Sequence, residues 1–358
     1  MAADPNPNSP NFSANGLGLS AFLTPWKDPY TQQWNLSFQY ALTQNESFTL
    51  GYVGNGSRHV LNTDKRNSVT EILPPGTNPQ NYIPFPDFSR NSDYIVTNGD
   101  AYYHGFQAGF DRRFSNGLNV LANYTRSLCR TDNRNALQIG EGTIQRATLL
   151  PGFGLKKDYG YCGNDVPNVF HTSGIFQFPV GRGRRFGADI PRVLDEIVGG
   201  WSTQWIFTAQ DGLAFTIGCF PSGVTNAGLG CDANVVKGQK LYTKVGPHGT
   251  TQFLNPAAFA NPPVATAIGQ TDYSPLGGPP TQVRGPGFSN LDLSFFKQFR
   301  TTENTHLEFR GELFNSLNHP NFANSFQSLD FTDTAHFGRI NLTRGTARQV
   351  QLALKFYF

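Results

Sequence analysis

The sequence predicts an all-β fold: an antiparallel transmembrane β-barrel portion of about nine strands with long external loops. Stretches of about ten residues alternate between apolar and polar side chains, as in strands that touch lipid on one face and water on the other. Short and long connections between these stretches alternate along the chain. The 38 Gly, 24 Pro and 31 Phe residues favour turns and aromatic anchors over helices.

The last strand, predicted over Ala347–Phe358, shows the pattern most clearly. Every second side chain belongs to an apolar face that comprises Val350, Leu352, Leu354, Phe356 and Phe358. The other face carries Lys355 and two glutamines. Because a strand of this length with one apolar face can cross a bilayer, the end of the chain predicts a membrane strand.

Residues 1–29 are rich in Pro, Asn, Ser and Gly, and they are predicted to form an external loop or a disordered N-terminal segment. The barrel portion is predicted to occupy residues 30–358. Its first strand, Tyr30–Leu42, precedes a short turn and a return strand over 48–56. Prolines then predict an irregular insert that lasts until about Asp100.

The second strand pair, predicted over 104–110 and 118–124, flanks a tight Ser-Asn-Gly turn at 115–117. Both strands alternate between aromatic or aliphatic and polar side chains. A second long insert follows, from about 128 to 167, where the alternation is lost.

The third pair, predicted over 170–178 and 201–209, is joined by a basic connection that contains Arg182, Arg184 and Arg185. Its glycines resemble those of phosphate loops, but neither the spacing nor a strand-to-helix context is present. We therefore predict a periplasmic turn with surplus positive charge. Contact of this turn with lipid phosphate or with a partner stays open.

The longest insert, residues 211–287, separates the third pair from the fourth, which is predicted over 291–295 and 307–313. A last insert over 318–346 precedes the terminal strand. Within it, His336–Leu342 is interpreted as loop or strand extension, because a tenth spanning strand would move every long loop to the periplasm.

The alternation of short and long connections places them at opposite ends of one sheet. If Phe358 ends in the periplasm, every long insert lies outside the cell, as in outer-membrane barrels. Nine is an odd number, whereas single-chain bacterial barrels have even strand numbers. An open edge in hydrocarbon leaves unpaired backbone groups that cost on the order of several kcal/mol each, so strands that precede Tyr30 are expected to be absent from this sequence.

Charge and hydropathy argue against other classes of protein. A net charge of +3 is too small to indicate nucleic-acid binding. No apolar run of about eighteen residues exists, which excludes a helical membrane span. The residues after Met1 lack the basic and apolar regions of a signal peptide, so the protein is either cytoplasmic or a piece of something longer.

The four cysteines favour an exported piece. Cys129 with Cys162, and Cys219 with Cys231, each lie within or beside one predicted loop. This spacing is typical of local disulfides in an oxidising compartment. Four unpaired thiols remain an alternative, because spacing alone does not establish the geometry of a bond.

Charged side chains alternate with apolar ones in the strand before the last insert. Glu308, Arg310 and Glu312 share one face, and Asp292 and Lys355 lie on the strands before and after it. Opposite charges on neighbouring strands favour a ladder that faces the lumen, whereas a catalytic carboxylate pair would need shaped surroundings and shifted pKa values. The sequence therefore predicts lumen charges, and it predicts neither an enzyme nor a catalytic residue.

Histidine and tryptophan positions indicate no further chemistry. The seven histidines lack the spacing of metal ligands, so neither a metal site nor a cofactor is predicted. The four tryptophans, with several tyrosines, suit aromatic girdles at the membrane interfaces. The competing interpretation is a secreted carbohydrate-binding or adhesive β-protein whose aromatic rings stack on sugars.

Five motifs stand at the two ends of the chain. They are DPYTQQWNLS at 28–37, GYVG at 51–54, FRGELFNSLNHPNF at 309–322, FGRI at 337–340 and RGTARQ at 344–349. Together with the terminal Phe358, they resemble the C-terminal barrel of Oar-like TonB-dependent receptors. The loops between them match nothing in that family.

This resemblance implies a longer protein that binds a ligand and takes it up across the outer membrane. Such receptors have a barrel of about 22 strands, an internal plug with the energy-coupling segment and often an N-terminal carboxypeptidase-regulatory-like domain. Residues 30–358 would be the C-terminal part of that barrel. The implied partners are outer-membrane lipid, the barrel-assembly machinery and an unknown ligand, with TonB reached only through a plug that this chain does not contain. A passive porin is a further alternative.

The end of the chain also resembles the signal that the outer-membrane assembly machinery reads. That signal has a polar residue, a small residue and two aromatic residues in the final strand, and the matching positions are Gln351, Ala353, Phe356 and Phe358. Ala353 stands where Gly is more usual. The alternative interpretation of this strand is an edge strand of a soluble β-sandwich.

Overall fold

The computed structural model describes residues 18, 20–22, 24–64, 67–89, 92–132, 158–219, 231–270, 277–302 and 305–358. Their main element is one antiparallel sheet, and the predicted all-β fold class is confirmed. Most of the predicted N-terminal segment, including residues 1–17, lies outside the described residues.

Nine long strands build the sheet, and each pairs with the strand that follows it along the chain. They are β1 (Tyr30–Ala41), β2 (Glu46–Asp64), β3 (Asp93–Ser115), β4 (Leu118–Thr131), β5 (Asn168–Gln177), β6 (Trp201–Gln210), β7 (Phe288–Arg300), β8 (His306–Phe314) and β9 (Gln349–Tyr357). Two short strands extend the sheet: Ser20–Phe22 runs parallel to β3, and Gly160–Tyr161 runs antiparallel to β4.

The connections contain further short elements. Where the structure describes the chain, an α-helix, α1, spans Arg192–Val198 between β5 and β6. The remaining short strands are Ala214–Phe215, Asn234–Val235, Tyr242–Val245, Gln252–Leu254, Phe259–Ala260 and Val283–Arg284, and the 3-10 turns are Pro79–Tyr82, Pro247–Gly249 and Pro256–Ala258. Within the described part of the chain, no helix has both the length and the apolar character needed to cross a bilayer.

The pairing register keeps apolar and polar side chains on separate faces of the sheet. From β1 to β5, one row of side chains consists of Phe38, Leu50, Ala108, Tyr124 and Phe170. From β6 to β9, a row on the same face consists of Trp205, Leu293, Leu313 and Val350. We call the face that holds these rows the apolar face and the opposite one the polar face. Because strand side chains alternate, the predicted apolar sets of all nine strands share one surface.

β2 and β3 are longer than the alternation predicted. β2 continues to Asp64 and β3 already starts at Asp93. The alternation signal ends early because glycines interrupt β2, and because its pairing shifts between Ser57 and Leu61, where His59 has a φ of 56°. A shift of this kind moves side chains out of the period of two.

The predicted short turns and the interpretation of the last insert are confirmed. Asn116 and Gly117 adopt φ values of 52° and 78°, which form the two-residue turn between β3 and β4. Residues 336–342 form turns and isolated bridges and contain no spanning strand.

The connection between β6 and β7 and the connection between β8 and β9 fold together. We call their shared interior the loop core, which comprises the buried residues Ile217, Ala233, Phe253, Leu254, Ala258, Phe259, Val283, Phe337 and Ile340. Backbone bonds join the two segments, as the N–H of Phe253 donates to the carbonyl of Gly338 at 3.0 Å. These two connections therefore form one packed unit rather than separate loops.

Candidate functional site

The charged side chains predicted to face the lumen meet on the polar face of β8. Glu308 Oε1 accepts hydrogen bonds from Arg310 Nη2 at 3.0 Å and Nε at 3.1 Å, and Glu308 Oε2 accepts one from Gln298 Nε2 at 3.2 Å. Arg310 Nη1 lies 3.7 Å from Glu312 Oε1. The guanidinium group thus lies between two carboxylates and partly balances their charge.

Lys355 and Asp292 lie on the same face but differ in their surroundings. Lys355 stands opposite Glu308 in the register of β8 and β9, which adds a second positive charge to this row. Asp292 Oδ1 accepts hydrogen bonds from the N–H of Asn315 at 2.8 Å and from Asn290 Nδ2 at 2.9 Å. Asp292 therefore fixes the backbone just after the end of β8, and it is not part of the charge row.

The four residues of the predicted assembly signal divide between the two faces of β9. Gln351 and Ala353 belong to the polar face. Phe356 belongs to the apolar face, and its ring stacks with that of Phe358 at a centroid distance of 6.2 Å. Both rings are exposed on this chain, so they are accessible to a binding partner or to lipid.

The four cysteines form two disulfides in the structure. Cys129 bonds to Cys162 and Cys219 bonds to Cys231, with the two Cα atoms 5.4 Å apart in each pair. The first bond joins the end of β4 to the segment that leads into β5. The second lies beside the loop core, and both belong to the end of the sheet where the long connections are.

A buried ion pair ties the same region to the loop core. The side chain of Asp165 is fully buried, its Oδ1 accepts a hydrogen bond from the N–H of Cys129 at 2.6 Å, and its Oδ2 pairs with Arg284 Nη2. Arg284 also donates to the carbonyl of Gly212 at 3.3 Å, and its guanidinium lies 4.8 Å from the centre of the Tyr161 ring. The Asp165–Arg284 pair therefore holds together two connections, the one between β4 and β5 and the one between β6 and β7.

A cavity of about 1000 Å³ lies between the long connections and residues within β2, β3 and β4, among them Tyr52, His104 and Arg126 of the apolar face. Its wall combines aromatic rings with three cationic side chains, three histidines and one carboxylate, and the residues concerned are Tyr52, His104, Arg126, Asp211, Tyr242, Lys244, His248, Arg284, His319 and Phe322. Tyr52 Oη and His104 Nδ1 are 2.7 Å apart. The polar-face charges of β8 do not belong to this wall, so the cavity and the charge row are separate features.

A carboxyl group with a raised pKa lies just beyond the end of β4. Burial raises the pKa of Asp132 from its ordinary value of 3.8 to about 6, and the nearby charges of Asp100 and Asp158 act in the same direction. The N–H of Asp100 donates to Asp132 Oδ1 at 2.7 Å, which opposes the rise. Asp132 thus titrates where the sheet meets the long connections.

Sequence patterns did not indicate Asp165, Arg284 or Lys297 as important residues. Asp165 and Arg284 are 119 positions apart, and no periodic signal joins them. Lys297 could have been recognised, because its charge interrupts the alternation of β7 at a position on the apolar face where an apolar residue is expected. Its side chain is only 4% exposed, because α1 covers it.

The predicted basic connection also contains a helix that was not expected. Pro191 precedes α1 and Gly199 follows it. Proline at the start and glycine at the end are signals of a helix, so the sequence carried this information.

Comparison with known families gives one match. A family model described as an outer membrane beta barrel domain matches residues 2–351. No curated protein matches the chain.

Three solved structures are similar at low identity. The FrpB iron transporter from Neisseria meningitidis is 10% identical with a TM-score of 0.41, and the match covers 95% of this chain and 33% of that one. The outer membrane transporter YddB from Escherichia coli is 9% identical with a TM-score of 0.42, over 95% and 34% of the two chains. The ferric-catecholate import receptor Fiu from Escherichia coli is 10% identical with a TM-score of 0.43, over 100% and 30%. The chain therefore spans about a third of the length of these structures.

Proposed function

The chain belongs to the outer membrane beta barrel domain family, and from that membership we propose that it is the C-terminal part of the barrel of a TonB-dependent, Oar-like receptor. The protein is a component of the outer membrane. In the proposed function, the complete receptor binds a ligand outside the cell and takes it up across this membrane.

The observation that carries the proposal is the separation of the two faces across nine strands. An apolar face that is continuous from β1 to β9 suits contact with hydrocarbon, and a polar face with Glu308, Arg310, Glu312 and Lys355 suits a wet lumen. A passive scaffold in water would not need an apolar surface of this extent.

The edges of the sheet support the idea of a larger barrel. In the described part of the chain, β1 pairs only with β2, and β9 pairs only with β8. Each open edge would leave unpaired backbone groups in hydrocarbon, at a cost on the order of several kcal/mol for each group. Strands from the rest of a receptor would pair with both edges and close the barrel.

Different parts of the receptor would carry out different steps of uptake. The long connections, with the loop core packed among them, would capture the ligand. The charge row of the polar face would then line its path, and a plug outside this chain would gate passage and contact TonB. The exposed Phe356 and Phe358 at the end of β9 would be read by the barrel-assembly machinery.

Uptake can be tested in cells of the source organism without knowing the ligand. The gene that encodes this chain is deleted, and the compounds that wild-type and deleted cells remove from their medium are compared. We expect at least one compound to remain in the medium of the deleted strain, and we expect its uptake by wild-type cells to stop when a protonophore removes the energy that TonB delivers.

Two results would contradict the proposal in different ways. Identical depletion of the medium by both strains would remove the transport function. Uptake that depends on the gene but survives the protonophore would indicate the passive porin instead, and the DNA upstream of Met1 would then encode no plug.

A further inference from the structure

The connection between β5 and β6 folds against the apolar face of the sheet. The carbonyl groups near the end of α1 accept hydrogen bonds from Lys297 Nζ, at 3.1 Å for Asp195 and 2.6 Å for Glu196. Trp201 Nε1 donates to the carbonyl of Ile197 at 2.9 Å. Lys297 and Trp201 stand opposite each other on the apolar face, so α1 is fixed there by two side chains.

The outer surface of α1 is apolar and has no partner among the residues that the structure describes. Val193 and Ile197 are 77% and 65% exposed, and Leu194 and Val198 next to them are also exposed. Positions four apart lie on one side of a helix, so these four side chains form a single stripe. An exposed stripe of this kind on a seven-residue helix would be costly in water.

The chain before α1 forms a basic tip. The tip, residues 181–188, contains Arg182, Arg184 and Arg185 and no acidic residue, and all three side chains are exposed. Backbone hydrogen bonds hold the fold of the tip. Asp195 Oδ1 accepts a hydrogen bond from the N–H of Arg182 at 2.7 Å, which connects the tip to α1.

The other charged groups near the tip are Asp189, Arg192 and Glu196, all at the surface. Among the described residues, no carboxylate forms an ion pair with the three guanidinium groups of the tip.

We infer that α1 and the basic tip together form an anchor for anionic phospholipid at the periplasmic surface of the outer membrane. The apolar stripe of α1 enters the boundary between headgroups and acyl chains, and Arg182, Arg184 and Arg185 bind lipid phosphate. The inference rests on the proposed orientation, in which the short connections lie in the periplasm.

Lipid is the occupant because α1 continues the apolar face, which the proposed function assigns to lipid contact. Trp201 lies beside the end of α1, and its ring contacts that of Phe309 on the apolar face at 6.2 Å. A short amphipathic helix with basic residues next to it is typical of segments that lie in a membrane interface. Guanidinium groups bind phosphate in a planar, two-pronged geometry, which explains arginine rather than lysine in the tip.

The test uses the full chain in lipid vesicles. A bimane label is attached at Ile197→Cys, at Glu196→Cys on the other side of α1, or at Leu352→Cys in β9. The four native cysteines are bonded to each other, so the introduced thiol is the reactive one. Lipids with bromine near the headgroup or deep in the acyl chain quench the label according to its depth. We expect shallow quenching at 197, deep quenching at 352 and little quenching at 196.

The arginines are tested by comparing brominated phosphatidylglycerol with brominated phosphatidylcholine. The label at 197 should be quenched preferentially by phosphatidylglycerol. The triple variant R182Q/R184Q/R185Q should lose this preference by about fivefold for each arginine that reaches phosphate. The matched variant K237Q/K240Q, which removes charge from the opposite end of the sheet, should keep it.

Each outcome distinguishes the anchor from the barrel. Quenching at 352 without quenching at 197 would overturn the anchor and leave the proposed barrel intact. No quenching at either position would overturn the barrel itself. An unchanged lipid preference in the arginine variant, or crosslinking of residue 197 to a second copy of the chain in place of lipid contact, would also overturn the anchor.

Discussion

The sheet and the loop core differ in the exposure of their apolar side chains. On the apolar face of β9, Leu352 and Leu354 are 70% and 65% exposed, whereas Phe337 and Leu254 in the loop core are 0% exposed. Both regions are rich in apolar residues, but only the loop core packs them against each other. The difference teaches that the sheet is built for a surrounding solvent of lipid, while the long connections fold as a small water-facing globule.

The polar groups of the two regions follow the same division. The loop region contains a buried ion pair and two disulfides, which stabilise segments that lack a long hydrogen-bond ladder. The sheet satisfies its backbone groups through continuous pairing, and β8 and β9 keep their charges on the polar face. Changes in one region should therefore act through packing in water, and changes in the other through transfer into lipid.

The largest expected effect comes from emptying the loop core. Replacing Phe337 by Ala removes a fully buried ring and should destabilise the loop core by about 3 to 5 kcal/mol. Hydrogen exchange followed by mass spectrometry should show faster exchange in peptides from residues 252–259. The ring is packed against Phe259 at 5.7 Å, so the effect should reach this segment directly.

The control for this change is Leu317→Ala, which truncates an apolar side chain that is exposed in the same region. Its effect should stay below about 0.5 kcal/mol. If Phe337→Ala accelerated exchange equally in the strands of the sheet, the two regions would be one cooperative unit and the comparison would fail.

The second effect tests the buried ion pair. Replacing Arg284 by Met leaves the buried carboxylate of Asp165 without its charge partner, which should cost about 3 kcal/mol, at the lower end of the range for such pairs because Arg284 is itself partly exposed. Exchange in peptides around residues 160–166 reports the loss.

The matched variant for this prediction is the double change Arg284→Met with Asp165→Asn. It removes the stranded charge while an amide oxygen can still accept the hydrogen bond from Cys129. We expect it to recover part of the lost stability. Equal destabilisation in the single and the double variant would show that the shape of Arg284, and not its charge, holds the connections.

The same contrast explains what the sequence could predict. The sheet was predictable because a period of two repeats in every strand, so the face of Glu308 or Arg310 follows from position alone. The loop core was not, because its contacts join residues such as Phe253 and Gly338 that have no common period. The Asp165–Arg284 pair was hidden for the same reason. The early end predicted for β2 reflects a local pairing shift, which periodicity does not register.

The third effect concerns the lipid-facing surface. Arg in place of Leu352 should cost about 2 to 4 kcal/mol when the protein unfolds from a bilayer, because a charge then lies in hydrocarbon on the apolar face. Phe309→Arg, on the same face of β8, should behave alike. Guanidinium unfolding from phosphatidylcholine vesicles measures both.

The control for the lipid-facing change is its neighbour in sequence. Gln351 belongs to the polar face and stands opposite Glu312, so Gln351→Arg should be close to neutral or slightly stabilising. Similar losses from Leu352→Arg and Gln351→Arg would mean that the two faces meet the same solvent, which would end the assignment of the apolar face to lipid.

The smallest effect lies at the seam between the two regions and depends on pH. The pKa of Asp132 is about 6 in the folded protein and has an ordinary value of 3.8, so between these values the folded state binds more protons than the unfolded state. The stabilisation that the protonated Asp132 carboxyl gives the folded state is therefore complete below about pH 4. It is lost as the pH rises through about 6, with an upper limit of about 3 kcal/mol.

Asp132→Asn should remove this part of the pH dependence, since an amide does not titrate and its oxygen can still accept the N–H of Asp100. Exchange rates at the end of β4, measured at about pH 4.5 and about pH 7.5 and corrected for intrinsic exchange, compare the two proteins. The same change in stability with pH in both would show that burial of Asp132 does not couple the sheet to the connections above it.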